Sequence, residues 1–303
     1  MKGALKPGIY LLHKPPGPSS AAAMRAFVAG FAQGGRKLPV CHGGTLDPFA
    51  EGLLLVLAGG ATRLMDFIHE VPKRYEAQVA WGMETDTGDG GGKPVGPRTA
   101  HPPTADPGAL DAALASFIGW TLQVPPATSA KKVGGEPAYK KAHRGESVVL
   151  PPSRVYLHQA RWLGHDGQGV TSRLELVCRG GFYVRSLVRE VGRALGVGAH
   201  VTSLSRTDIG PWKAPPLGTS EWLHGAQVCP WWPTRELTPD ELYALKEGRS
   251  IPGGEILAAP WALPHGFPSV QPLVRALSRD ALVALLAPQG NRWTAALRLP
   301  GGV

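Results

Sequence analysis

The sequence has few cysteines and no long apolar segment. Three cysteines occur in 303 residues, and no two of them form a Cys-x-x-Cys pair. This excludes a disulfide framework and a cysteine-rich zinc module, and it favours a reducing, cytoplasmic setting. The longest apolar run, Ala281–Ala287, is far shorter than the about 20 residues that a membrane-spanning helix needs. The N-terminal hydrophobic residues are too interrupted for a signal peptide. We therefore expect a cytoplasmic protein with no membrane partner.

Two common ligand-binding motifs are also missing. The glycine-rich stretch Gly90-Gly91-Gly92-Lys93 continues with Pro94, whereas a phosphate-binding P-loop needs Ser or Thr after its lysine. The ten histidines include no His-Glu-x-x-His motif or other paired metal spacing. The sequence thus predicts neither a nucleotide cofactor nor a metal site.

Acidic residues are outnumbered by basic ones. The chain has 32 Lys and Arg against 23 Asp and Glu, a formal net charge of +9. Residues 230–303 contribute seven Lys and Arg and six Asp and Glu, so nearly all of the excess lies in residues 1–229. A basic excess of this size favours a polyanionic partner, although basic proteins without a nucleic-acid role are common. Charge alone leaves both interpretations open.

Hydrophobic periodicity predicts strands and helices in an irregular order. Residues 75–81 alternate as a half-buried strand does, and residues 183–195 place five aliphatic side chains, at positions 184, 187, 188, 191 and 195, on one side of a helix. The tail, 251–303, alternates short apolar runs with Pro and Gly. Because there is no regular βαβ rhythm, we expect an α+β fold. It would have a mixed, largely antiparallel sheet flanked by helices and a small C-terminal β-rich appendage.

Three segments carry side chains suited to chemistry. Residues 42–48 (HGGTLDP) place Asp47 at the tip of a glycine-containing loop before a buried strand, where it is either a functional carboxylate or a turn aspartate that bonds nearby amides. Residues 131–144 interleave five cations with Tyr139 and His143, which suits phosphates and unpaired bases but also a solvated loop. Tyr183 and Arg185 lie at a strand-to-helix junction, which is either an anion-binding helix N-terminus or a loop before a helix with a solvated arginine face.

Together these segments resemble the bacterial tRNA pseudouridine-55 synthases, the TruB family. The similarity runs in order over about residues 9–210, and its six blocks are HKPPG (13–17), HGGTLDP (42–48) with EGLL (51–54), KRYEA (73–77) with Thr85-Asp86-Thr87 and Asp89, Gln123 to Tyr139, GFYVRSL (181–187), and LSRT (204–207). The sequence departs from the family pattern at Thr128, His143, Phe182 and Ser205.

The resemblance implies a domain organisation. Residues 1–230 would form the catalytic pseudouridine synthase domain, with an RNA-gripping insertion at about 123–152. Residues 231–303 would form a small RNA-binding domain that is only loosely similar to PUA domains.

The resemblance also implies a cofactor-free isomerisation of uridine 55 in the T loop of tRNA. Asp47 matches the catalytic aspartate, Tyr75 the tyrosine that stacks on the uracil, and Arg185 the arginine that keeps the carboxylate ionised. The target base must be flipped out of the loop, and His42 matches the residue that fills the gap. Substrate contacts are further expected from Tyr183, Leu204, Lys131 and Lys132.

Partners and alternatives follow from the same resemblance. The T arm of tRNA is the expected partner, the chain is expected to be a monomer, and no protein partner is required. A catalytically silent tRNA-binding or tRNA-folding protein could use the same basic surface. A nucleoside hydrolase or glycosylase would also need a carboxylate near a glycosidic bond, but it would release free uracil.

Overall fold

The structure, a computed structural model, describes residues 3–32, 38–98, 106–129, 131–146, 148–166 and 170–303. Its strands, in chain order, are β1 Gly8–Lys14, β2 Val40–His42, β3 Glu51–Ala58, β4 Lys73–Trp81, β5 Glu84–Thr85, β6 Pro94–Val95, β7 Gly119–Gln123, β8 Lys132–Val133, β9 Glu136–Pro137, β10 Ser153–His165, β11 Thr171–Cys178, β12 Ala199–Ile209, β13 Trp212–Lys213, β14 Ser220–Leu223, β15 Thr234–Glu236, β16 Ile251–Pro252, β17 Val274–Ser278, β18 Ala281–Gln289 and β19 Arg292–Arg298.

Helices are fewer and shorter. The α-helices are α1 Ser20–Ala29, α2 Met65–Glu70, α3 Pro107–Ala115, α4 Ala138–His143, α5 Val184–Ala194 and α6 Pro239–Lys246. Two 3₁₀ helices span Gly59–Leu64 and Gly225–Gln227. In the described part of the chain, no helix is long and apolar enough to cross a membrane.

The chain divides into two units. The first comprises residues 1–71 together with 208–303, and the second comprises residues 72–207. The first unit is therefore built from two segments that are far apart in sequence, whereas the second is continuous.

The first unit contains two sheets. In one, β14, β1 and β3 pair antiparallel in that order, and β2 also pairs with β3. The other has the order β15-β17-β18-β19-β16, in which β15 and β17 are parallel and the remaining pairs antiparallel. A shared apolar core packs residues from both segments, including Ile9, Leu53, Leu55, Leu277, Leu285 and Val303.

The second unit is a sheet with the strand order β12-β4-β11-β10-β7. The strands β4, β11, β10 and β7 pair antiparallel with their neighbours. Helix α5 packs on β4, and α3 contacts both α5 and β10. Four of the five aliphatic side chains predicted for the stripe are buried, at positions 184, 187, 188 and 191. The fifth, Leu195, follows the last residue of α5 and is half-buried.

The predicted α+β class, with a largely antiparallel sheet and helices against it, is confirmed. The predicted strand 75–81 begins two residues earlier, and the predicted helix 183–195 runs from Val184 to Ala194. The segment 123–152, expected to be an RNA-gripping insertion, contains the β8–β9 hairpin and α4. Two-residue strands of this kind carry too few residues to leave a hydrophobic pattern.

Candidate active site

Asp47 lies in the first unit, in the loop between β2 and β3, and its side chain is half-buried. The loop leaves β2 through Gly43, whose amide bonds to the Leu55 carbonyl at 2.8 Å. A Cβ at Gly43 would lie 2.8 Å from the Leu55 Cβ, so only glycine fits there without a shift. Gly44 follows with φ +108°, a region that favours glycine. The two glycines therefore let the loop lie directly against β3.

The residues on both sides of Asp47 are fixed by hydrogen bonds. The Ser20 hydroxyl accepts from the Leu46 amide at 2.8 Å and donates to the Leu46 carbonyl at 2.9 Å. On the other side, the Pro48 carbonyl accepts from the Gly17 amide at 2.7 Å. Asp47 is thus held in place through its neighbours' backbones.

A buried lysine completes this support. The Lys14 ammonium donates to the carbonyls of Ala50, Pro15 and Pro48 at 2.7, 2.9 and 3.2 Å. An ammonium has three donors, so the three carbonyls match its hydrogen-bonding capacity. Lys14 links the end of β1 to both sides of the turn that follows Asp47.

His42 is the last residue of β2 and pairs with Val56 of β3. It was expected in a turn, but the strand extends to it, and its side chain is half-buried. His42 and Asp47 therefore flank the two glycines of one loop.

In the second unit, Arg185 stands in the first turn of α5 with its side chain almost fully buried. Its Nη1 donates to the Thr87 carbonyl and the Thr128 hydroxyl, both at 2.7 Å, and to the Asp89 carboxylate at 3.2 Å. Arg185 thus links α5 by hydrogen bonds to the segment after β5 and to the segment after β7.

Asp89 contacts the candidate site residue Arg185, and we did not predict this contact. Its Oδ1 accepts from the Thr87 hydroxyl at 2.9 Å and the Gly91 amide at 3.0 Å, which leaves Oδ2 directed at Arg185. Asp89 and Arg185 are 96 positions apart, so no spacing rule could link them. Only the family resemblance of the block around Asp89 drew attention to it.

Tyr75 lies on β4, and Leu204 lies on β12, the strand beside β4; both side chains are more than nine-tenths buried. Tyr75 shares the buried face of β4 with Lys73 because side chains alternate along a strand. Burial and, to a lesser extent, the nearby Arg206 guanidinium together lower the pKa of Lys73 to about 7. This face of β4 therefore holds an amine that loses its charge near neutral pH.

Tyr183 immediately precedes α5. Its amide donates to the Gln123 side-chain oxygen at 3.0 Å, and its carbonyl accepts from the Gln123 side-chain nitrogen at 3.3 Å. Gln123 is buried at the end of β7. This pair of bonds fixes the start of α5 and hence the position from which Arg185 projects.

Part of the positive charge of the insertion and of α5 is paired with carboxylates within the protein. Arg144 pairs bidentately with Glu136 at 2.7 and 2.9 Å and with Glu146 at 2.6 Å, which lowers the pKa of both carboxyls. Arg193 pairs with Glu84 at 2.6 and 2.8 Å. These contacts reduce the positive charge that the insertion and α5 offer to a polyanion.

The two lysines predicted in the insertion have different surroundings. The Lys131 ammonium donates to the Ser153 hydroxyl at the start of β10. Lys132 begins β8, and its side chain lies outside the described part of the structure. In the described residues, no cluster of three His, Cys, Asp or Glu side chains is arranged to hold a metal ion.

Known proteins are similar to this chain over most of its length. Residues 35–184 match the model of the TruB family pseudouridylate synthase (N terminal domain). The chain is 41% identical over 221 residues to a tRNA pseudouridine synthase B of Xanthomonas euvesicatoria pv. vesicatoria, a match that covers 72% of this chain and 68% of the relative. It is 34% identical over 302 residues to the tRNA pseudouridine synthase B of Arthrobacter sp. (strain FB24), with 94% of each chain covered.

A solved structure supports the fold. The chain is similar to one in the crystal structure of a Cbf5-Nop10-Gar1 complex, with a TM-score of 0.66, 21% identity, and coverage of 97% of this chain and 84% of that one. The fold and the matched family model define a pseudouridine synthase, an isomerase that acts on RNA uridines. More particularly, because its relatives share at least a third of their residues over most of their length, the chain belongs to the TruB family.

Proposed function

We propose that this chain converts uridine 55 in the T loop of tRNA to pseudouridine, with Asp47 as the catalytic carboxylate. The observation that carries this proposal is the rigid support of Asp47, whose two sequence neighbours are hydrogen-bonded to Ser20 and Gly17. A group that must meet a sugar carbon needs its position fixed before substrate arrives. The curated relatives are tRNA pseudouridine synthases, which supports tRNA as the substrate.

The isomerisation breaks the N1–C1′ bond, turns the uracil and forms a C5–C1′ bond. The proton on C5 leaves and N1 gains one, so no oxidant, reductant or cofactor is required. Asp47 assists the change at the glycosidic bond, and the Tyr75 ring stacks on the uracil while its phenol lies near C5. Water must be excluded, since it would capture the detached sugar and leave an abasic site.

Arg185 provides positive charge for the carboxylate site. The Asp89 carboxylate and two neutral oxygens hold its Nη1, which fixes the guanidinium plane. As the family resemblance implies, we propose that this guanidinium keeps the Asp47 carboxylate ionised. Asp89 is then a positioning residue that acts through Arg185.

Recognition of the T loop requires that the target base leave its stack, at a cost of a few kcal/mol. We propose that His42 fills the vacated space and that Leu204 packs against the extruded nucleotide. Lys131, Lys132 and Tyr183 contact the RNA. The protein acts as a monomer in this proposal.

The decisive experiment is substitution of Asp47. Asp47→Ala should abolish pseudouridine formation in an unmodified tRNA transcript, mapped at nucleotide resolution, while tRNA binding stays within about tenfold of wild type because other groups make most RNA contacts. Asp111→Ala, at an exposed position of α3, is the matched control and should be fully active. Substantial turnover by Asp47→Ala would refute the assignment.

The same assay separates the alternatives. A silent tRNA-binding protein would leave the transcript unmodified with the wild-type chain. A glycosylase would release free uracil, which chromatography detects.

A further inference from the structure

A row of exposed apolar side chains follows strand β7, which ends the sheet of the second unit. Ile118, Trp120, Leu122 and Val124 are exposed by 43, 45, 68 and 43%. Trp120 and Leu122 lie on one face of β7, since alternate residues of a strand share a face. A contiguous exposed apolar row of this kind indicates a binding surface more often than scattered single residues do.

The neighbouring strand adds rings and guanidinium groups to this row. Tyr156 of β10 is directly opposite Trp120, with ring centroids 5.1 Å apart, and Arg154 is opposite Leu122. The Arg154 Cζ lies 4.4 Å from the Trp120 ring centroid, and the Arg179 Cζ lies 5.9 Å from it. We call these five residues, Trp120, Leu122, Arg154, Tyr156 and Arg179, the Trp120 patch.

The patch lies on the opposite face of the sheet from Tyr75. Cross-strand partners share a face, and Leu157, Cys178 and Lys73 are successive partners across β10, β11 and β4. Lys73 shares its face with Tyr75, whereas Tyr156 is adjacent to Leu157 along β10 and therefore points to the other side. Ligands of the patch would not compete for the Tyr75 face.

The charge of the patch is positive. Neither β7 nor β10 contains an Asp or Glu, although together they span 18 residues. Within the described part of the chain, Arg154 contacts the Trp120 ring and pairs with no carboxylate. By contrast, Arg74 and Arg161, further along the same face, both pair with Glu175 at 3.1 and 2.8 Å. The Arg154 guanidinium beside Trp120 is thus available to a polyanion.

We propose that the Trp120 patch binds unpaired nucleotides of a single-stranded RNA segment. Bases stack on aromatic rings and on guanidinium planes, and arginines beside the rings contact the phosphates between successive bases. An apolar protein partner would use the row of β7 but not the adjacent positive charge, which favours RNA as the occupant. The inference rests on the proposed function only in taking RNA as the ligand class.

The test uses the full chain and a fluorescently labelled oligoadenylate of about twelve nucleotides, a length that spans one stacking surface. We expect binding by the wild-type chain that weakens with added salt. Trp120→Ala should raise the Kd about tenfold, and Trp120→Phe, which keeps a stacking ring, should stay within about threefold of wild type. Leu217→Ala, at another exposed apolar position with 64% exposure, should leave the Kd unchanged. Thermal unfolding confirms that each variant is folded.

The outcomes separate this inference from the catalytic proposal. Asp47→Ala should bind the oligoadenylate as the wild type does, whether or not the wild type makes pseudouridine. An unchanged Kd in folded Trp120→Ala overturns the proposal. The proposal is also overturned if sedimentation shows that the wild-type chain is a dimer, that Trp120→Ala is a monomer, and that neither binds the oligonucleotide. That result would assign the row to contact with a second copy of this chain.

Discussion

Individual residues of the candidate site are held in place by groups far away in sequence. The family resemblance identified Asp47, Tyr75 and Arg185, and the helix and strand patterns placed the last two on the correct elements. Their hydrogen-bond partners could not be predicted. Thr87, Asp89 and Thr128 meet Arg185 only because the sheet brings their loops together, and no local pattern encodes such a contact.

Arg185 should not tolerate replacement by lysine. Arg185→Lys keeps a positive charge but loses the planar guanidinium, whose Nη1 contacts three oxygens, so we expect the turnover rate to fall more than tRNA affinity. Single-turnover rates and filter binding measure the two effects. Arg193→Lys, on the same helix but exposed and paired with Glu84, should lose little of either. Equal turnover by Arg185→Lys and wild type would remove Arg185 from the site.

Lys73 should make stability depend on pH. Its folded pKa of about 7 lies below its ordinary value of 10.5 because burial disfavours the charged form. Between these values the unfolded chain binds more protons than the folded chain, so the free energy of unfolding rises with pH. Below pH 7 both states carry the proton, and the folded state bears the full cost of burying the ammonium.

The window for the Lys73 measurement is pH 7 to 9. Above pH 9 the buried Cys178 thiol opposes the trend, because burial raises its pKa from 9.0 to about 12. Urea unfolding should show a rise of about 2 kcal/mol across the window, at most about 1.4 kcal/mol per pH unit. Lys73→Met should remove this rise, whereas Lys93→Met, at an exposed position, should retain it. A rise of the same size in Lys73→Met would contradict the assignment.

At the scale of elements, the Asp47 loop is stabilised mainly by side chains of other elements. Its glycines and proline predicted a turn, but its supports, Lys14 and Ser20, come from β1 and α1. The β8–β9 hairpin was unpredictable for a different reason. Gly134 and Gly135 both adopt positive φ, 61° and 85°, so a two-residue turn rather than an apolar pattern creates it.

Removal of the Lys14 ammonium should loosen the Asp47 loop. Lys14→Met leaves the buried Ala50 carbonyl without its ammonium donor, and we expect a loss of about 2–3 kcal/mol in the free energy of unfolding. We further expect kcat to fall more than KM rises, because the position of Asp47 is disturbed rather than the RNA contacts.

Lys213→Met is the control for Lys14→Met, since Lys213 is exposed in the same unit. Urea unfolding and steady-state kinetics on tRNA transcript serve both variants. Unchanged stability together with unchanged kcat in Lys14→Met would mean that the three carbonyl contacts do not support the loop.

At the scale of the whole molecule, composition and element order predicted the fold class but not the grouping of the chain. A boundary near residue 230 remains a prediction. In the structure, residues 208–303 pack with residues 1–71 as one unit. Leu277 and Leu285 of the C-terminal sheet share a core with Ile9 and Leu53 of the N-terminal strands. Hydrophobic patterns identify buried faces, but they do not specify which distant face covers them.

Deletion of residues 231–303 tests this shared core. The shortened chain would expose apolar side chains of β1 and β3 that the C-terminal segment covers, and each fully buried aliphatic side chain contributes about 1.5–3 kcal/mol. We expect loss of cooperative unfolding and binding of a hydrophobic dye. Cooperative unfolding at the urea midpoint of the full chain would contradict the shared core.

The discontinuous first unit has a consequence for biosynthesis. As the ribosome releases the chain, residues 1–71 emerge first, yet the segment that completes their core, 208–303, emerges last. Residues 72–207 are continuous and can fold in between. The apolar side chains of β1 and β3 therefore stay exposed until residues 208–303 are synthesised. We expect chaperones to bind this surface of the nascent chain.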